Sequence, residues 1–86
     1  MESFEITLRS TEPIELSELD ADGFQNLLAT QIDQPFTWSQ EVDGCICVTF
    51  RHDAVDRERA HGASERLAND LGVGNWAVSV VPTEAL

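Results

Sequence analysis

Phe36-Thr37-Trp38-Ser39-Gln40-Glu41-Val42-Asp43-Gly44-Cys45-Ile46-Cys47-Val48-Thr49-Phe50-Arg51 is the stretch on which the fold of this 86-residue chain turns. Two β-prone, alternating runs flank Asp43-Gly44, a strong hairpin signal. Two registers compete. A two-residue Asp43-Gly44 loop pairs Val42 with Cys45 and Trp38 with Thr49, which puts Phe36 and Trp38 on the cysteine face, opposite Ile46, Val48 and Phe50. A three-residue Val42-Asp43-Gly44 loop, with Gly44 left-handed, shifts the pairing by one. Trp38 then opposes Val48, and Phe36 opposes Phe50. Cross-strand partners share a face, so only this second register gathers the large apolar side chains on one side. A slip would expose two aromatics, and the second register is the one expected. The first would make Trp38 an interface anchor.

Upstream, Phe4-Glu5-Ile6-Thr7-Leu8-Arg9 alternates with period two and reads as a half-buried strand. Ser10 to Glu15 is a connection in which Pro13 excludes regular helix. Ser17-Glu18-Leu19-Asp20 has the form of a helix N-cap. Leu16, Leu19, Phe24, Leu27, Leu28 and Ile32 then recur at helical spacing and predict a helix over 18–31. Gly23 costs that helix roughly 1 kcal/mol relative to Ala, so its start is expected nearer Asp22. Pro35 ends the segment.

Downstream, Cys45 to Arg51 reads as a central strand. Asp53 is the expected N-cap of a second helix over 54–71, closed by Gly72. Its sheet-facing stripe is Ala60, Ala63, Ser64, Leu67 and Leu71, mostly small residues that permit close packing. Trp76 to Val81 is a last strand stopped by Pro82, and 83–86 is expected to fray.

The order β-α-β-β-α-β, with right-handed crossovers, predicts one α+β domain over 1–86. The expected arrangement is the ferredoxin-like sandwich: a four-stranded antiparallel sheet, strands one and three central, two helices on one face. The inner face is expected to hold Phe4, Ile6, Leu8, Phe36, Trp38, Ile46, Val48, Phe50, Trp76, Val78 and Val80. The open face is expected to hold Thr7, Thr37, Ser39, Cys45, Cys47, Thr49, Ala77, Ser79 and Val81, with Glu5, Arg9, Glu41 and Arg51 toward its margins.

Charge narrows the function classes. The formal net charge is −11, from 16 acids against 5 arginines, and the chain has no lysine. Nonspecific binding to DNA, RNA or an anionic membrane needs clustered Lys/Arg and is not expected. No run of apolar residues is long enough to span a bilayer. The acidic Met1-Glu2-Ser3-Phe4-Glu5 start does not read as a signal peptide. Cys45 and Cys47, two apart on a strand, are poorly placed for a disulfide and suit reduced thiols in a cytoplasmic setting. The acid-rich, lysine-free composition fits a salt-adapted cytoplasm or an acidic functional surface.

Gly44 to Phe50 shares the glycine, valine and final aromatic positions of the first RNP motif of RNA-recognition domains. The base-stacking positions, however, hold Cys45 and Cys47, and Asp43 replaces the leading cation. The match is read as the geometry of a central strand. Cys45, Cys47, His52 and His61 lack the spacing of a zinc site, and Cys47 with either histidine has no nucleophile signature. No metal or cofactor is expected, and no catalytic residue is assigned.

Two surfaces remain as candidates. One is the charge-poor open sheet face, represented by Thr7, Ser39, Cys47, Thr49, Ala77 and Ser79. The other is an acidic ridge, Glu12, Glu15, Glu18, Asp20 and Asp22, within eleven residues that contain no cation. Residues 1–50 carry −9 of the charge and residues 51–86 only −2. The leading expectation is a small non-catalytic interaction or regulatory module, meeting a protein partner or a second copy of itself. The alternatives are an acidic nucleic-acid mimic that blocks a basic protein, and a salt-adapted small ligand-binding domain or enzyme.

Overall fold

A computed structural model describes residues 1–14, 21–72 and 74–85. The elements run β1 (Glu2–Ser10), α1 (Ala21–Gln31), β2 (Phe36–Gln40), β3 (Ile46–Ala54), α2 (Arg57–Asp70) and β4 (Trp76–Pro82), followed by a 3-10 turn over Thr83–Ala85. The four strands form one antiparallel sheet in the order β2-β3-β1-β4, with β3 and β1 in the centre.

The hairpin adopts the three-residue loop. Trp38 pairs with Val48 and Phe36 with Phe50. The Gly44 N–H donates to Glu41 O (2.9 Å), and the Glu41 N–H donates to Cys45 O (2.8 Å). Gly44 sits at φ +89°, so the turn closes with the extra residue of a bulge. The loop is also fixed from outside. The Ile14 N–H donates to Gly44 O (3.1 Å), and Gln40 Nε2 donates to Ile14 O (2.8 Å).

This register commits the sheet to one apolar face. Phe4, Ile6, Leu8, Ile46, Val48, Phe50 and Val80 are buried on it, with Phe36, Trp38, Trp76 and Val78 packed at its edges. Phe24, Leu28 and Ile32, one helical turn apart, carry α1 onto that face. The Phe24 ring stands edge-on to Trp38 at 4.9 Å and lies near-parallel to Trp76 at 6.5 Å. Trp38 Nε1 donates to Gln25 Oε1 (2.6 Å), so the indole enters the helix layer with its one donor satisfied. Ala60, Ser64 and Ala68 form the buried stripe of α2, with Leu71 beyond its end. Small side chains let α2 lie close against β4.

Four expectations shift. The N-cap of α2 is Asp56, whose Oδ1 accepts from the Arg59 N–H (2.8 Å), and not Asp53. β1 is long enough to pair Ser3 with Asp53 and Glu2 with Ala54, so strand pairing claims those residues first. The α2 stripe runs through Ala68, while Ala63 and Leu67 are half-buried. Cys45, expected on the open face, is buried. Thr83–Ala85 does not fray: Thr83 Oγ1 donates to Ser3 O (3.1 Å) and ties the turn to β1. The Ser17 cap and the predicted first turn of α1 lie outside the described residues. The alternation reading also missed Ser10. It is buried and its Oγ accepts the Ile46 N–H (2.8 Å), pairing the backbone where β3 begins.

Two glycines separate backbone strain from steric clash. Gly72, at the end of α2, has φ +72° with open space around its Cα. A Cβ on Gly44 would meet Pro13 Cβ at 2.9 Å as well as occupy a left-handed backbone. Gly72→Ala is expected to cost about 1–2 kcal/mol. Gly44→Ala adds an overpacking cost of about 1–3 kcal/mol. Urea unfolding of both variants checks the ranking; equal losses would contradict the Pro13 contact.

Candidate functional site

Because helices cover one face of the sheet, the odd-numbered residues of β1 and their partners are left on the other. The registers align them in rows. Thr37 opposes Thr49, Thr49 opposes Thr7, and Thr7 opposes Ser79, so a line of four hydroxyl side chains crosses all four strands. The adjacent row reads Ser39, Cys47, Arg9, Ala77, and the row on the other side places Arg51 beside Glu5 and Glu5 beside Val81. Thr7, Cys47 and Thr49 are half-buried in the central strands, while Thr37, Ser39, Ala77 and Ser79 are exposed. The six residues chosen to represent this face share it, together with Thr37 and Val81, which were expected there too.

The margins carry the face's charges. Arg9 forms an ion pair with Glu41 and reaches Asp43 at 3.3 Å. Arg9 lies on β1, and its partners lie in the β2–β3 hairpin loop beside Cys45, which is buried. The hydrogen bond and charge of Glu41 hold the Arg9 guanidinium above its usual pKa. Asp43 Oδ1 accepts from the Cys45 N–H (2.9 Å), and this bond, helped by Arg9, holds the Asp43 carboxyl below the usual carboxylate range. Glu5 and Arg51 are neighbours across β1 and β3, yet among the described residues neither has an ionic partner. Beside them a shallow groove of about 360 Å³ opens between Pro35, Thr37, Thr49 and Arg51.

The acidic ridge is only partly visible. Glu12 and Asp22 are exposed, and Glu15, Glu18 and Asp20 lie outside the described residues. The thiols and imidazoles do not meet. Cys47 faces the open side, and His52, five positions along the same strand, falls on the helix side beside Phe4. His61 pairs with Glu65 at 2.6 Å on the exposed face of α2. Among the described residues no group of three or more His, Cys, Asp or Glu is placed to hold a metal ion, and no helix is long and apolar enough to cross a membrane.

The pairing of Glu5 with Arg51 across the sheet had no local signal. It follows from the β1–β3 register, which no hairpin fixes. Comparison with protein-family models, curated proteins and solved structures finds no match for the chain.

A carboxyl whose folded pKa is lowered stabilises the fold above its unfolded pKa. It loses that contribution as pH falls through the lowered value. Asp43→Asn should therefore flatten the acid limb of the stability–pH curve relative to the parent chain, as measured by thermal unfolding between neutral and strongly acidic pH. Superimposable acid limbs would contradict the role given to Asp43.

Proposed function

We propose that the chain is a small non-catalytic interaction module of ferredoxin-like topology that meets a protein partner through its open sheet face. The observation that carries the reading is the uncharged row Thr37, Thr49, Thr7, Ser79, crossing every strand of a chain whose net charge is −11. The topology is supported by the central position of β1 and β3 and by two helices whose buried residues join one core.

Covering this face removes few charges from water, and desolvating charge is the main cost of burying polar protein surface. The side chains are short, so a partner can approach the backbone closely. The hydroxyls set a second condition. A buried hydroxyl without a partner costs about 1–3 kcal/mol, so the occupant must offer donors and acceptors, as a protein surface does and a lipid tail does not. Arg9 and Arg51 stand apart at opposite margins, too sparse to neutralise a phosphate backbone. The same reading sets the protein in the cytoplasm, in keeping with its two free thiols.

Thr49 lies at the centre of the face, between Thr7 and Thr37. Thr49→Arg adds bulk and charge there while touching nothing in the core. Tagged parent and variant chains are used to capture proteins from a lysate of the source cells. The variant is expected to lose what the parent retains, with unfolding shifted by no more than about 0.5 kcal/mol. Identical captures would contradict the reading.

A further inference from the structure

We propose that the occupant of the open face is a second copy of this chain, related by a two-fold axis that runs along the strands between β1 and β3. The inference rests on the reading of the open face given above and names its partner. Two chains of charge −11 repel, and can pack only where their charges cancel. A two-fold in this position lays β1 over the partner's β3. Glu5 and Arg51, which share a row and lack ionic partners among the described residues, then each meet their opposite: Arg51 faces the partner's Glu5, and Glu5 faces the partner's Arg51. The Glu5–Arg51 row is electrically self-complementary, as a two-fold interface requires.

The other residues agree with the same axis. Thr7 falls opposite the partner's Thr49 and Thr37 opposite the partner's Ser79, so hydroxyls meet hydroxyls. Val81, at the end of its row, falls over the groove beside the partner's Pro35. The strands of the two sheets run nearly alongside each other, the usual arrangement of stacked sheets.

The footprint sets the strength. Four strands about 4.8 Å apart and about six residues rising about 3.3 Å each give a face of roughly 400 Å² per copy. That is the low end of specific interfaces, so the dimer is a reversible one.

Sedimentation equilibrium on the full chain tests this, over concentrations up to about 1 mM. The parent chain should move with concentration toward twice its 9.5 kDa mass. Arg51→Glu alone and Glu5→Arg alone should each stay at the single-chain mass, because like charges now oppose across the axis. Mixed in equal amounts they should regain the dimer, because in the mixed pair every reversed charge faces an opposite one. Should either variant lose its far-UV circular dichroism, Glu5→Gln and Arg51→Gln take its place, each expected to weaken dimerisation roughly tenfold.

A parent chain that stays monomeric overturns the proposal in favour of a different protein on this face, and the Thr49→Arg capture then judges the face independently. Dimers that persist in both reversed variants overturn it in favour of another contact, such as pairing along the free edge of β4. A mixture that stays monomeric overturns it as well.

Discussion

A left-handed glycine at the tip of the β2–β3 hairpin is the constraint from which the rest of the architecture follows. Gly44 inserts one residue into the turn, and that residue decides which side of the sheet Phe36 and Trp38 occupy. With both on the inner side, Phe24 has Trp38 and Trp76 to pack against, and α1 has a surface to cover. With both on the outer side, the core would lose two aromatics and the open face would gain them. Pro13 and Ile14 reinforce the choice by closing over the glycine, one by contact and the other by a backbone hydrogen bond.

The same decision leaves the opposite face with small, mostly uncharged side chains. The chain thus separates its charge from its flattest surface. Acids crowd the first half of the sequence, and α2 carries Arg57, Arg59 and Arg66 among Glu58, Glu65 and Asp70 on its exposed side. The open sheet keeps two arginines and four carboxylates (Glu5, Glu41, Asp43 and Asp53), all at its margins. High salt would screen the repulsion between the outer surfaces of two copies while leaving a covered face less affected. An acid-rich composition is therefore compatible with the proposed self-association.

Much of this was legible in the sequence because alternation and turn chemistry act locally. The bounds of β2, the hairpin register, Gly72 at the end of α2 and the apolar face all follow from neighbours within a few residues. What was not legible depends on distant pairing. Asp53 has the chemistry of a helix cap, but β1 extends far enough to hold it in a strand, and Asp56 takes the cap. Cys45 obeys strand alternation on paper, yet it is buried where Arg9 reaches toward Glu41 and Asp43 in the adjoining hairpin loop. Ser10 looked like the first residue of a loop, and its hydroxyl instead completes the backbone pairing of β3. The candidate face itself was legible as a set of residues. Its order, with Arg51 beside Glu5 and four hydroxyls in line, needed the β1–β3 and β1–β4 registers.

The central claim is that the open sheet face is the surface by which this protein meets its partner, a second copy of itself. The most direct measurement is a dilution series of amide nitrogen–proton correlation spectra. The account predicts concentration-dependent shifts at Thr7, Cys47, Thr49 and Ser79, with the exposed amides of α2 unmoved. Shifts confined to the helices, or spectra identical at every concentration, would contradict it.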